Sequence, residues 1–242
     1  MIKVIAEKLG YELIKKKKDA SLKSHLQRIL KQYEIDLVLD VGANQGQYGK
    51  MLRNLGYKGE IISFEPVRSA YEKLKESTEK DNLWKVFKLG LSDKKGVTQI
   101  NVFKSSVFSS LLKPNEFGQN SFKKMEQSVT EEIDLDTLDN FLNANHIKNK
   151  RIFLKMDTQG HDLNVFFGTR NSIATIVGIQ SEISFQPIYE NMPNYHESLK
   201  EYEGAGFIAT GLYPVSRSAS GAIIEMDCVM LNNKFLQNKP AQ

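Results

Sequence analysis

The sequence is nearly devoid of cysteine: Cys228 stands alone among 242 residues. A lone cysteine makes no internal disulfide and no cysteine metal cluster, which suits a reducing, cytoplasmic setting. Its apolar run, Cys228-Val229-Met230-Leu231, marks it as a buried residue rather than a nucleophile. Long hydrophobic runs are also missing. No stretch approaches the ~20 apolar residues of a membrane span, and the N-terminus lacks the apolar centre of a signal peptide. There are no internal repeats. With 40% apolar and 10% aromatic residues the chain is rich enough to pack a core, which excludes a disordered protein. The length suits one α/β domain with at most a small appendage.

The excess of positive charge is local. Residues 1–35 carry nine Lys/Arg against four Asp/Glu, so they hold +5 of a total of +4 and the remainder is −1. The run Lys15 to Lys18 has the charge to meet an acidic substrate, a membrane surface or nucleic acid. No aromatic residues are interleaved with it for base stacking, so a solvated helix face is the preferred reading. His25, His146 and His196 lie outside any motif and read as surface residues.

Along the chain, residues 2–33 read as a helical preface, with Leu22, Leu26, Ile29, Leu30 and Tyr33 on one face. The division expected is therefore an N-terminal helical segment over 1–35 and a main domain over 36–242. From residue 36 the pattern alternates. The run 37–41 is a short apolar strand ending in a glycine loop, 47–55 a helix closed by Gly56, and 60–64 a second strand. A helix follows over 66–78 with Pro66 in its first turn, then a third strand over 84–89. Further strands are expected at 98–103, 129–135, 151–157 and 173–179, with helices at 137–143, 161–167 and 195–202. A strand pair at 207–212 and 222–231 closes the chain. Residues 104–127 are polar and long for a plain connection, which suits either a lid or a surface loop. Alternation of this kind implies a doubly wound, Rossmann-like, mostly parallel seven-stranded sheet, here with a terminal antiparallel hairpin.

The loop after the first strand carries the most chemical information. Gly42 and Gly46 remove side chains where backbone passes close to a ligand, and the loop opens a helix. A dinucleotide loop places a glycine two positions after the first, and here that residue is Asn44. Asp40 stands two residues before Gly42, where an acid suits a cofactor bearing an amino group, such as the methionine part of S-adenosylmethionine. Glu65 ends the second strand and can accept hydrogen bonds from both ribose hydroxyls, with Pro66 fixing the turn that presents it. Gly90-Leu91-Ser92 lies where an adenine would be held, with Leu91 against the ring and Ser92 or a backbone N–H at its edge.

These segments resemble the FkbM family of methyltransferases. The matching residues are Asp40-Val41-Gly42-Ala43-Asn44-Gln45-Gly46-Gln47-Tyr48, Ser63-Phe64-Glu65-Pro66, Leu91-Ser92-Asp93 with Gly96, Asp136-Thr137-Leu138-Asp139 and Lys155-Met156-Asp157-Thr158-Gln159-Gly160. Glu182, Tyr189, Gly206-Phe207 and Asp227 continue the match, which spans about residues 36–231. Asp162 departs from the pattern, since the family more often carries glutamate there. The resemblance implies a Rossmann-like fold, S-adenosylmethionine as methyl donor, and transfer to a hydroxyl, often on sugars, polysaccharides or natural products. Tyr48 joins Asp40, Gly42, Asn44, Gly46, Glu65, Pro66, Gly90, Leu91, Ser92 and Asp157 as the expected cofactor set.

A hydroxyl is a poor nucleophile at neutral pH and needs a base or a metal. Asp157 ends the fourth core strand, with Lys155 facing the same side two residues earlier, and Glu182 ends the fifth. Adjacent strands lie ~4.8 Å apart, so Asp157 and Glu182 are a candidate pair for Mg²⁺. His161, Asp157 and Lys155 are the candidate catalytic groups. The expected partner is a small-molecule or glycan acceptor, and the oligomeric state is open, a homodimer included. Two other classes stand beside this one. A nucleic-acid methyltransferase would use Lys15 to Lys18 on phosphates, but Asp157-Thr158-Gln159-Gly160 stands where amino-directed DNA enzymes carry an Asn/Asp-Pro-Pro-Tyr motif. A catalytically silent cofactor-binding module would keep the fold without turnover.

Overall fold

The computed structural model describes residues 5, 6, 8–10, 21–125 and 128–236. The Lys15 to Lys18 run lies outside the described residues, as does most of the expected helical preface.

Helix α1 (Leu22–Gln32) begins at Ser21, whose side chain accepts from the Ser24 N–H while Ser24 answers with its own hydroxyl, a reciprocal cap. Its face of Leu26, Ile29 and Leu30 is buried. Strand β1 (Leu37–Val41) is buried at every residue, as a strand covered on both faces must be. The chain then alternates through α2 (Gln47–Asn54), β2 (Glu60–Phe64), α3 (Arg68–Thr78) and β3 (Trp84–Phe87). Pro66 precedes α3 rather than sitting in its first turn, because Val67 is the N-cap.

Strands β4 (Gly90–Leu91), β5 (Gly96–Phe103) and β6 (Ser128–Asp136) leave the main sheet and form a small sheet of their own, in the order β4-β6-β5. Between β5 and β6, α4 (Glu116–Ser121) and two short 3₁₀ turns fold the insert. The chain continues through α5 (Leu138–Ala144), β7 (Ile152–Met156), α6 (Asp162–Phe167), β8 (Ile176–Ser184), α7 (Tyr195–Gly204), β9 (Phe207–Arg217), β10 (Ile223–Asn232) and α8 (Asn233–Leu236). The stretch 173–175, expected as strand, is a 3₁₀ turn that leads into β8.

The main sheet has seven strands in the order β3-β2-β1-β7-β8-β10-β9, with β10 antiparallel to both neighbours and the other pairs parallel. From β1 the chain winds outward to β3, then returns to β7 on the other side. The β1/β7 boundary is therefore a topological switch point, and the carboxyl ends of these strands form a crevice suited to a ligand.

Each face of the sheet has its own core. On one, Phe64 and Phe87 both meet Phe141 edge-on, at 4.7 and 4.8 Å between ring centroids, and Phe166 meets Tyr202 the same way. On the other, α1 packs Leu26 and Ile29 with Val38, Leu52, Trp84 and Phe153. His25, expected at the surface, is wholly buried here, with its Nδ1 2.9 Å from the Tyr213 hydroxyl. Its position on the buried face of an amphipathic helix is the reason. His146 and His196 are exposed.

The insert is stitched down rather than loose. Asn115 N–H donates to the Ile188 carbonyl and Glu190 N–H to that of Lys113, while Phe108, Leu112, Phe117 and Phe122 pack on Met125, Ile188 and Tyr189.

Because Leu26 is wholly buried on α1, Leu26→Ala should cost about 2–5 kcal/mol. Urea unfolding would show this as a lower midpoint at unchanged slope. A shift below 0.5 kcal/mol would mean that α1 is not part of the core.

Candidate active site

The parallel register sets Ser63, Asp40, Lys155 and Gln180 side by side on β2, β1, β7 and β8, and all four are buried. This polar row underlies the crevice. Trp84 Nε1 donates to Ser63 Oγ at 2.9 Å, and Ser63 Oγ donates to Asp40 Oδ2 at 3.1 Å. Lys155 Nζ lies 2.9 Å from Asp40 Oδ1 and donates to the Gly42 carbonyl at 3.1 Å. On the far side, the Tyr48 hydroxyl donates to Gln180 Oε1 at 2.8 Å and Gln180 Nε2 to Asp227 Oδ1 at 2.9 Å. Burial works against the Lys155 charge, but Asp40 and Asp157 outweigh it and hold its pKa above the ordinary range.

Asp40 was expected to meet a cofactor amino group directly. It is wholly buried instead, held by Lys155 and Ser63. It acts on the loop above through the Lys155 ammonium, because its position at the centre of the sheet leaves no path to the crevice. Lys155, a candidate catalytic group, is likewise committed to Asp40 and the loop carbonyls.

Above this row lies a cavity of about 550 Å³ lined by the loop after β1, the ends of β2, β7 and β8, the insert and the β9–β10 hairpin. Gly42 has φ +73°, and a Cβ there would collide with the carbonyl oxygen of Asp157, so β1 and β7 approach closely only because the residue is glycine. Gly46, at φ +85°, starts α2. Asn44 is held at φ +48° and its side-chain oxygen accepts from Ser106 of the insert at 2.9 Å.

Glu65 faces the cavity from the end of β2 and accepts from the N–H groups of Asn44 and Val67 at 2.8 and 2.9 Å. Burial pushes its pKa up to about 7, against the two N–H groups and Lys155, which pull it down. Pro66, Gly90 and Leu91 line the same end.

Ser92, expected at an adenine edge, is buried away from the cavity: its N–H donates to the Asp136 carbonyl, and its hydroxyl lies 2.9 Å from His161 Nε2. The pairing of β4 with β6 turns it inward. His161 does line the cavity, but it is tied to Ser92 on the β4 side. Burial lowers its pKa to about 4, opposed by Asp93. It is neutral at physiological pH, and its contact is Ser92 rather than the Asp157–Glu182 pair.

Asp157, with its side chain 43% exposed, is the accessible carboxylate at the β1/β7 junction. Gln159 Nε2 donates to both Asp157 Oδ1 and Glu182 Oε2 at 3.1 Å, and Gln159 Oε1 accepts from the Tyr189 hydroxyl at 3.0 Å. The expected Mg²⁺ pair is thus spanned by an amide. Among the described residues no group of three or more His, Cys, Asp or Glu is arranged to hold a metal ion. The donor set does not fit a metal ion.

Asp162, where glutamate was the family's commoner residue, buckles this loop: it accepts from the Thr158 N–H and hydroxyl and from Ser181 Oγ at 2.8, 2.6 and 2.9 Å. Two site residues had no signal in the sequence. Gln180 belongs to an apolar-looking strand, and Glu225 lies in a hairpin far along the chain. Both line the cavity.

Residues 40–209 match the Methyltransferase FkbM domain family. Among solved structures, the chain is similar to that of a fibrillarin/Nop5p complex, with 12% identity, a TM-score of 0.47, and 85% of this chain and 79% of that one covered. It is also similar to an rRNA methylase from Streptococcus thermophilus, with 10% identity, a TM-score of 0.46, and 91% and 99% covered. A third is a putative RNA methyltransferase from Pyrococcus horikoshii, with 14% identity, a TM-score of 0.42, and 87% and 83% covered. No curated protein is significantly similar.

Removing one partner of the Lys155–Asp40 pair leaves a buried charge uncompensated. Lys155→Met should therefore cost about 3–5 kcal/mol, and Lys155→Met with Asp40→Asn should recover part of it; chemical denaturation measures both. Glu65 and Glu225 carry pKa values raised to about 7. The folded chain then binds more protons than the unfolded one between about pH 4.5 and 7, so stability falls as pH rises through that window. Thermal melts from pH 5 to 8 should show the decline, and Glu65→Gln with Glu225→Gln should lessen it, the raised Asp227, Glu182 and Asp162 accounting for what remains.

Proposed function

Because the chain belongs to the FkbM methyltransferase family, we propose that its cavity holds S-adenosylmethionine and directs its methyl group to a hydroxyl of a sugar, polysaccharide or related metabolite. Family and fold support methylation that depends on this donor. The residues present fit it. Gly42 leaves open the space that a Cβ would fill, and Glu65 presents a carboxylate held by two N–H groups where two ribose hydroxyls would donate. Leu91 and Phe64 supply apolar surface near the same end. When bound, the donor supplies a methyl group already activated on a sulfonium.

The protein's part is to align the acceptor oxygen and to receive its proton. The loop from Gly42 to Gly46 and the Asp157 carboxylate grip the amino-acid end, with Lys155 fixing the loop from below. Insert residues Ser106 to Phe108 cover the cavity and limit water.

The observation that carries the choice of acceptor is the carboxyl-rich lining of the cavity. Asp157, Glu182, Glu225 and Asp227 all line it, and the cation there, Lys155, is already committed. Such a lining offers phosphate no uncommitted cation among the residues named and accepts hydrogen bonds from hydroxyls, which disfavours a nucleic-acid acceptor. The same carboxylates argue against a silent binding module, since they provide proton acceptors beside the methyl-donor site. No helix among the described residues is long and apolar enough to cross a membrane, and the buried lone Cys228 suits a reducing, cytoplasmic setting.

Calorimetry with S-adenosylhomocysteine tests the cofactor assignment. Wild type should bind, and Glu65→Ala should weaken binding by about 10-fold or more, equivalent to at least ~1.4 kcal/mol. Ribose hydroxyls donate to the ionised carboxylate, so wild-type affinity should rise as pH passes upward through about 7, the value to which burial pushes Glu65. Glu65→Gln should lose that slope. Absence of binding by wild type sinks the assignment.

A further inference from the structure

We propose that Glu225 on β10 is the group that takes the proton from the acceptor hydroxyl, with Ser109 of the insert holding the same substrate. This rests on the hydroxyl-directed reading above. Glu225 is 6% exposed, and its Oε2 accepts from Ser216 Oγ at 3.0 Å. Its other oxygen, Oε1, is buried with no hydrogen-bond partner among the described residues, although the residue lines the cavity. Ser109 Oγ is in the same condition, and Ser109 lines the same cavity from the insert. Buried polar atoms are normally satisfied, and an exception calls for an absent partner. A hydroxyl satisfies both at once, donating to the carboxylate and accepting from the serine.

The sheet explains why the carboxylate faces this way. Asp227 is directly opposite Glu182 across the β8–β10 pair, and Glu225 is two residues from Asp227 and so on the same face. Glu182 is bound through one oxygen to Gln159, Asp227 through one to Gln180 and Glu225 through one to Ser216, and among the described residues Glu225 is the one of the three whose other oxygen is buried without a partner. Its surroundings also ready it as a base. Burial, together with Asp157 and Asp162 from the β7 loop and Asp227 on its own strand, raises its pKa to about 7, against the Ser216 hydrogen bond. Glu182 from β8 and Tyr189 from the loop beyond it face the same region, and each feels the Glu225 charge.

In the transfer step, the acceptor oxygen forms its bond to the methyl carbon while the carbon–sulfur pair returns to sulfur, so that the sulfonium leaves as a neutral thioether. The hydroxyl proton passes to Glu225 Oε1. No other reactant is needed.

The test uses the full chain saturated with S-adenosylhomocysteine and a panel of methyl hexopyranosides, with binding followed by saturation-transfer NMR. At least one glycoside should bind. Glu225→Gln should leave S-adenosylhomocysteine affinity within about twofold and weaken the glycoside by about 10-fold, and Ser109→Ala should weaken the glycoside alone. With S-adenosylmethionine and the bound glycoside, Glu225→Gln should lower kcat by about 10²–10⁴ and abolish the rise of kcat through pH 7, while Glu225→Asp restores part of it. Binding of no glycoside, binding of simple alkylamines in their place, or a Glu225→Gln enzyme with wild-type kcat overturns the proposal. Loss of S-adenosylhomocysteine affinity in Glu225→Gln alone shows a structural role and overturns it too. A wild type that binds no S-adenosylhomocysteine instead fails the cofactor assignment, and this proposal falls with it.

Discussion

The contact between Lys155 and Asp40, deep in the centre of the sheet, is the constraint on which the site depends. Both groups are removed from water, and neither tolerates that alone. Their mutual attraction keeps the ammonium charged, and its remaining donors reach the carbonyls of Val41 and Gly42. The loop after β1 is thereby fastened to the end of β7 from beneath, at the place where Gly42 lets the two strands come close. A hydrophobic pair would fill the same volume and stabilise the fold at least as well. It would offer the loop no hydrogen bonds and the cavity no fixed charge.

From that pair the polar row extends to both sides. Toward β2 it passes through Ser63 to the Trp84 indole, and toward β8 it is resumed by Gln180, which joins Tyr48 to Asp227. The row gives each buried group a partner, so the floor of the crevice is rigid and its strain-free geometry is set by strand register. Asp162 performs the same service for the β7 loop, collecting Thr158 and Ser181 and leaving Gln159 free to span Asp157 and Glu182. The amide bridge donates to both acids, at the place where a divalent ion was expected between them.

How much of this was legible in the sequence depends on how local the cause is. The glycine loop, Glu65 and Asp157 were visible because a strand end, a turn and a helix start are written in consecutive residues. The seven-stranded sheet followed from the alternation of apolar runs. Asp40 stood out at the strand end, but its pairing with Lys155 depends on the register between β1 and β7, which no local pattern records. Ser92 and His161 were assigned separate tasks, and only the pairing of β4 with β6 brings them together. The small sheet itself was invisible as a unit: β4 has two residues, and β5 and β6 read as strands with no sheet assigned to them. His25 read as exposed because its partner, Tyr213, is far along the chain.

The same distinction separates the two ends of the cavity physically. The end proposed for the methyl donor is built by β1, β2 and β7, buried strands held in register in one sheet. The end proposed for the acceptor is built by the 104–125 insert and by β9–β10, elements outside the repeating strand–helix pattern. Their contacts with the site are single side chains, such as Ser106 on Asn44 and Ser110 on the Gln159 carbonyl. An insert held this way can change its residues without disturbing the sheet, whereas any change in the polar row disturbs both strands and loop. On the proposed hydroxyl-directed reading, a fixed donor site beside a replaceable acceptor wall would let one transfer chemistry serve different hydroxyls, with specificity set by the insert and the hairpin.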